Sequence, residues 1–369
     1  MSKKIKVLVV DDSAVMRQLL TEILSSDPDI EVVGTAPDPY VARDKIKLLN
    51  PDVLTLDVEM PRMDGLAFLR NLMRLRPMPV VMCSSLTQKG AAVALDALAL
   101  GAIDFVAKPT VDVAHGIRDS AQEIIAKVKM AARAQVRPLV DPPVMNVVDR
   151  HDAGVVLPKR SAPTHFATTD RIIAIGASTG GTEAIKEVLT HLPSDVPGIV
   201  IAQHIPQAFS GPFALRMDGC SVLNVCEARD GQPILAGHVY IAPGDSHLIV
   251  VRDGARYQCR LSHGELVNRH RPSVDVLFRS VAQSAGRNSI GVMLTGMGRD
   301  GAEGMKEMRE AGAATIAQDE ASSVVWGMPG AAWQLGAVQT LHPLTQIAGR
   351  ILDLAGTPVE TLQRKTQSA

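Results

Sequence analysis

Between residues 5 and 130 short apolar runs alternate with amphipathic stretches five times, and that rhythm admits few folds. The runs at 7–10, 32–35, 53–56, 80–83 and 105–107 have the length and composition of buried strands, and helical patterns start at Ala14, Tyr40, Leu66, Lys89 and Ile117. Such alternation predicts a doubly wound parallel sheet with its site at the carboxyl ends of the strands. Polar residues gather at those ends: Asp11 and Asp12 after the first strand, Asp57 after the third, Ser84 and Ser85 after the fourth, Lys108 and then Pro109 after the fifth. Three clustered carboxylates repel one another, and a hard divalent cation such as Mg²⁺ would relieve that repulsion. The same cation would neutralise a phosphoryl group on Asp57, while Lys108 and Ser84 contact its oxygens. Any one of these residues could simply cap a strand; five at matching ends make caps alone a poor explanation.

A second strand-to-helix junction is different in kind. IIAIGASTGGTEAI, residues 172–185, passes from an apolar strand through a glycine-rich turn into a helical pattern. That places Ser178 at a sheet edge, near the free N–H groups that open a helix. Gly176-Ala177-Ser178-Thr179-Gly180 fits the G-x-S-x-G nucleophile elbow. A helix-capping serine in a structural turn fits those residues as well.

Residues 166–356 read as one α/β unit. Strands are expected at 171–176, 198–203, 222–226, 290–295, 314–317 and 337–341, and helices at 181–191, 274–285, 301–311 and 343–354. In the middle, PILAGHVYIAPGDSHLIVVRDGARYQCRLS alternates with turn signals and predicts inserted antiparallel hairpins. A dinucleotide-binding domain is the runner-up, but its G-x-G-x-x-G fingerprint would need glycine where Ser178 stands.

Two further strand ends complement Ser178. IVIAQHIP puts His204 after one strand, and VMLTGMGRDGAEG puts Asp300 in the turn after another. His204 could take the serine proton and Asp300 could hold the imidazole tautomer. Each also has a plainer reading, a hydrogen-bonded structural histidine and a helix N-cap. The order Ser…His…Asp departs from the Ser…Asp…His order of α/β-hydrolases. Glycines 296, 298 and 301 allow close backbone approach, and the Met297 N–H is a candidate oxyanion donor, with Thr179 in support. His270 is the rival base. Arg171, Arg271 and Arg299 are candidates for substrate charge, and NRHRPSVD could bind substrate or cap a helix.

The 369 residues suggest two or three domains. We place the first at 1–130, a proline-rich linker at 131–165, the second domain at 166–356 and a tail at 357–369. A net charge of −1 offers no basic excess for nucleic acid. Cys83, Cys220, Cys226 and Cys259 lack CxxC spacing and read as reduced thiols of a cytosolic protein. The apolar run 5–10 is too short for a signal sequence or membrane span.

VLVVDDS, LTLDVEMPRMDG, VVMCSS and DFVAKP resemble the response-regulator receiver domain. The resemblance implies a flavodoxin-like (βα)5 fold, phosphoacceptor Asp57, Mg²⁺ carboxylates Asp11, Asp12 and Asp57, switch hydroxyl Ser84 (or its neighbour Ser85) and switch lysine Lys108. Phe105 stands where that family often has a mobile aromatic, though a core phenylalanine fits too. With GASTGG, AQHIP, IAPGDSHL, HRPSVDVLF and LTGMGRDGA following in order, the whole chain resembles the chemotaxis protein-glutamate methylesterase/glutaminase family. What this implies is hydrolysis of glutamate γ-methyl esters on cytoplasmic chemoreceptor helices, with release of methanol, and deamidation of particular receptor glutamines. Ser178 would be nucleophile, His204 base and Asp300 orienting acid, with Met297 in oxyanion contact and no cofactor in the esterase site. A chemotaxis histidine kinase would be the phosphodonor, and neither nucleic acid nor membrane insertion is implied. The expected second fold is a doubly wound, mainly parallel sheet with an antiparallel hairpin insertion. A rival from another class is a non-enzymatic response regulator whose second domain only binds a partner. For control, we expect the unphosphorylated receiver to pack over the entrance near Ser178, held close by a short linker.

Overall fold

The computed structural model describes residues 4–60, 64–84, 88–108, 116–134, 136, 171–254 and 256–356. In the first unit β1 (Ile5–Val10), β2 (Ile30–Ala36), β3 (Val53–Asp57), β4 (Val80–Ser84) and β5 (Asp104–Ala107) form a parallel sheet in the order β2-β1-β3-β4-β5. Helices α1 (Ala14–Ser25), α2 (Pro39–Leu49), α3 (Gly65–Leu75), α4 (Gln88–Ala99) and α5 (Gly116–Ala131) connect and cover it. Ser13, Asp38 and Asp64 start α1, α2 and α3 by accepting N–H groups of the first turns. Strand order reverses between β1 and β3, so Asp11 and Asp57 face the crevice that opens there.

The second unit is a seven-stranded sheet in the order β14-β13-β12-β6-β7-β9-β8, parallel at every pairing. Its strands are β6 (Ile172–Ala177), β7 (Gly198–Gln203), β8 (Asn224–Glu227), β9 (His238–Ile241), β12 (Ser289–Met293), β13 (Ala314–Gln318) and β14 (Thr340–His342). The order reverses between β12 and β6, a second switch point. β10 (His247–Asp253) and β11 (Arg256–Ser262) form a separate antiparallel pair. α6 (Gly181–Thr190), α7 (Gln207–Cys220), α8 (Val274–Ala285), α9 (Ala302–Glu310), α10 (Met328–Gln334) and α11 (Leu344–Ala355) complete the unit. β6 and β7 are buried along their whole length, which accounts for their unbroken apolar sequence.

Two features differ from the sequence expectation. Of the alternating middle segment only β10–β11 is a hairpin; β9 joins the main sheet parallel to both β7 and β8. The short α10 was not expected, and neither was the longer α7. Helix α7 contains Pro212, and its buried residues Phe209, Ser210, Phe213, Ala214 and Met217 share the helix with exposed Leu215, so no clean apolar stripe shows.

The two units meet through α4, which packs on α7 and α6. Phe105 of β5 stacks on Phe209 of α7 with ring centroids 4.3 Å apart. Apolar packing runs without a break from the core of one sheet to that of the other. The expected linker 131–165 and tail 357–369 lie almost wholly outside the described residues.

Candidate active site

β6 ends at Ala177, and the chain turns through Ser178-Thr179-Gly180 into α6. Gly180, the N-cap, has φ +74°, which a side chain would resist. The turn is held on both sides: the Ser178 N–H donates to the Thr295 carbonyl at 3.1 Å, and Gln203 Nε2 donates to the Ser178 carbonyl at 2.9 Å. Gly296 is small enough to lie against Ser178, since a Cβ there would come within 2.9 Å of the serine Cβ.

β7 delivers His204 on one side of this turn, and the loop after β12 delivers Asp300 on the other. The Ser178 hydroxyl lies 3.2 Å from His204 Nδ1, and His204 Nε2 lies 2.8 Å from Asp300 Oδ2. The carboxylate can only accept, so the ring carries its proton on Nε2 and leaves Nδ1 free for the serine proton. Burial alone would raise the pKa of Asp300. The bond from His204, reinforced by the Asn268 amide and the Val274 N–H, holds this carboxyl well below the usual carboxylate range. Ser273 Oγ donates to its other oxygen at 2.8 Å. Asp300 does not cap its own helix α9, whose N-cap is Gly301; its Oδ2 instead accepts the Val274 N–H at 2.7 Å, at the start of α8.

The remaining sequence candidates separate. Met297 is 37% exposed at the rim, and among the described residues its N–H has no protein acceptor. The Thr179 hydroxyl turns away from the crevice and donates to Asp104 Oδ2 of β5 at 2.6 Å, so this side chain is committed to the receiver. His270 stacks face to face on His204, centroids 3.7 Å apart. Arg171 donates to the Leu354 carbonyl, Arg271 pairs with Asp245, and Arg299 lies 3.5 Å from Glu303. Sequence reasoning assigned no role to Gln203 or Asp104, and treated Asn268, Ser273 and Asp275 only as part of the NRHRPSVD segment. Gln203 had a local signal, a polar residue closing an apolar strand.

In the first unit Lys108 Nζ reaches Asp57 Oδ1 at 2.8 Å and Asp11 Oδ2 at 3.2 Å. Burial pushes the Asp57 carboxyl up to about 6, although Lys108 opposes the shift. Among the described residues the buried Asp57 Oδ2 has no hydrogen-bond partner, and oxygens of Asp11, Asp12 and Asp57 lie within 4.8 Å of one another. An all-oxygen set with an orphaned buried acceptor fits a hard cation. Ser84 is buried and donates to the Gly90 carbonyl at 3.0 Å, while Ser85 lies outside the described residues.

Known proteins resemble this chain along nearly its whole length. Residues 173–351 match the CheB methylesterase family and residues 7–116 the response regulator receiver domain. The chain is 59% identical over 352 residues to a protein-glutamate methylesterase/protein-glutamine glutaminase of Xanthomonas campestris pv. campestris, covering 95% of this chain and 97% of that one. It is 57% identical to the protein of that name from Hydrogenovibrio crunogenus, over 95% of this chain and 99% of the relative. The crystal structure of the Thermotoga maritima CheB methylesterase catalytic domain matches with a TM-score of 0.50 at 35% identity, covering 50% of this chain and 99% of that domain. A receiver sheet joined to a sheet that carries a serine, a histidine and an aspartate in contact, with this likeness along nearly its whole length, makes the chain a member of the CheB protein-glutamate methylesterase/protein-glutamine glutaminase family.

Proposed function

We propose that residues 166–356 hydrolyse glutamate γ-methyl esters on the cytoplasmic helices of membrane chemoreceptors, and deamidate specific receptor glutamines, under control of a receiver at 1–130. The observation that carries this is the unbroken contact from Ser178 through His204 to Asp300. Ser178 Oγ attacks the ester carbonyl as its proton passes to His204 Nδ1. Asp300, charged and fully hydrogen-bonded, stabilises the imidazolium. The carbonyl oxygen becomes an oxyanion, for which the Met297 N–H is the assigned donor. On collapse methanol leaves with the proton from His204, and a glutamyl ester of Ser178 remains. Water, deprotonated by the same histidine, releases the glutamate. With a glutamine substrate the leaving group is ammonia. No cofactor enters these steps.

In the receiver a histidine kinase of the chemotaxis pathway supplies the phosphoryl group to Asp57. Asp11, Asp12 and Asp57 would hold Mg²⁺, whose charge offsets that of the phosphoryl oxygens. Lys108 already touches Asp57 and is placed to follow those oxygens, as is the Ser84 hydroxyl if it leaves Gly90. Among the described residues no helix is long and apolar enough to cross a membrane. We place the enzyme in the cytoplasm, acting on the soluble part of its receptors without nucleic acid or membrane insertion.

Methanol release from methylated receptor membranes tests the reaction, and labelling by a fluorophosphonate tests the nucleophile. An enzyme built this way releases methanol and loses it on labelling. A protein that neither labels nor releases methanol is a binding module instead.

A further inference from the structure

Behind the triad, a four-residue turn serves both partners of Ser178 at once. Val267 and His270 exchange backbone hydrogen bonds at 3.1 and 2.9 Å. Both residues between them are left-handed, Asn268 at φ 54° and Arg269 at φ 68°, the pattern of a type I′ turn. From one corner Asn268 Nδ2 donates to Asp300 Oδ1 at 2.7 Å and to Asp275 Oδ2 at 2.6 Å. From the end of the turn the His270 ring lies on the His204 ring, 12° from parallel.

We infer that this turn positions the catalytic base: Asn268 bridges Asp300 to a second buried carboxylate, and His270 braces the face of His204. The inference rests on the reading of Ser178, His204 and Asp300 as a triad.

Asp275 and Asp300 both accept the Asn268 amide, and without it two buried carboxylates would share the space. Asp275 also accepts the Gly304 N–H at 2.7 Å, and burial raises its carboxyl above the ordinary value. The amide therefore keeps the negative charge of Asp300 where His204 needs it. His270 faces Asp300 and His204, with Lys127 of the receiver contributing from further off, and Arg269 stands exposed in the turn itself. Burial pushes the His270 imidazole down to about 4, so it stays neutral while its neighbour takes a proton. A neutral ring against a forming imidazolium offers π-electron density to the charge and blocks rotation about χ2. His270 is thus a positioning residue, acting through His204.

The test uses the full-length chain, with fluorophosphonate labelling followed against pH and methanol release resolved into kcat and KM. His270→Leu is expected to lower the labelling rate and kcat by about 10²-fold, with KM little changed, because a misoriented base costs about that much. Its acidic labelling midpoint should fall, since the imidazolium loses its support. His270→Phe, flat but proton-free, should recover most of the rate and the midpoint. Asn268→Gly keeps the left-handed turn and removes only the amide, and should cost about tenfold. Adding Asp275→Asn, which returns an amide beside Asp300, should restore part of that loss. Equal losses in His270→Phe and His270→Leu, a rise in KM with kcat unchanged, or an Asn268→Gly enzyme at the wild-type rate would each overturn the inference. Labelling that persists in Ser178→Ala would instead overturn the triad itself, a separate failure. If His270→Leu does not fold, as judged by circular dichroism, the phenylalanine and glycine variants decide.

Discussion

Ser178 has its acceptor 3.2 Å away, and that acceptor has a buried anion 2.8 Å beyond it. Removing one member of such a unit costs nearly as much as removing all. Ser178→Ala should therefore lower methanol release by about 10⁴–10⁶-fold in a protein that still unfolds cooperatively; a rate within about tenfold of wild type rejects the nucleophile. The receiver has its own test at this scale. Asp57 titrates near 6 when folded and 3.8 when unfolded, so folding binds its proton more tightly. Its contribution to stability is present below pH 3.8 and lost as the pH climbs through 6. At pH 7.5 without Mg²⁺, Asp57→Asn should then stabilise the chain by on the order of 1–3 kcal/mol. Mg²⁺ at a hundredfold excess over its Kd should stabilise wild type by about 2–3 kcal/mol and the variant much less. Equal Mg²⁺ stabilisation in calorimetry would place the ion elsewhere. Ser178, His204, Asp300, Asp11, Asp57 and Lys108 were legible in the sequence because each follows an apolar run, and strand ends of one sheet converge. Asn268 and Asp104 were not: one sits in a turn and the other opens a strand, and their partners Asp300 and Thr179 lie 32 and 75 residues away.

Among the elements, the β6–α6 junction bears the tightest constraint. A Cβ at Gly181 would fall 2.2 Å from Gln203 Oε1 and 2.7 Å from the Ala177 Cβ. Gln203 cannot simply swing aside, because its Nε2 holds the carbonyls of Ser178 and His204 at 2.9 and 3.2 Å. Gly181→Ala should cost roughly 1–3 kcal/mol by overpacking, and it should displace nucleophile and base together, so the labelling rate falls more than the loss of stability explains. An alanine enzyme labelled at the wild-type rate would mean that the junction has slack. The alternation that revealed β1 to β5 worked because each strand was short, apolar and followed by an amphipathic helix. Helix α7 escaped because it carries Pro212 and is covered by the receiver on one side and its own sheet on the other. β9 was misread as part of a hairpin because its pairing partners β7 and β8 precede it, and local alternation says nothing about direction.

At the scale of the whole chain, the receiver touches the residue next to the nucleophile. Thr179 donates to Asp104, which Lys127 Nζ also approaches at 3.3 Å; Phe105 stacks on Phe209, and Arg216 of α7 lies 3.4 Å from Asp96 of α4. The buried charge-assisted bond contributes about 1.5–3 kcal/mol and the aromatic stack about 0.5–1.5 kcal/mol. The Arg216 pair, partly exposed, adds at most about 1 kcal/mol. These contacts come from β5 and α4, next to the Asp57–Lys108 site, so charge added at Asp57 has a short route to them. We predict that docking restricts the entry of a bulky receptor helix and that phosphorylation weakens it. Only a small bias is required, since about 1.4 kcal/mol changes an open-to-closed ratio tenfold. Arg216 also lies 3.5 Å from Glu183, so Arg216→Glu sets a third negative charge beside Asp96 and Glu183 and should raise the unphosphorylated methanol-release rate about two- to fivefold, as expected for loss of a partly exposed pair. Adding Asp96→Arg should bring the rate back down. A fragment beginning near residue 160, comparable to the separately crystallised Thermotoga maritima catalytic domain, should outpace the unphosphorylated whole. Asp57→Asn should stay at the basal rate when phosphodonor is added. A fragment no faster than the intact, unphosphorylated chain would exclude steric inhibition, and the receiver would then act by building the catalytic site or by carrying the enzyme to its receptor.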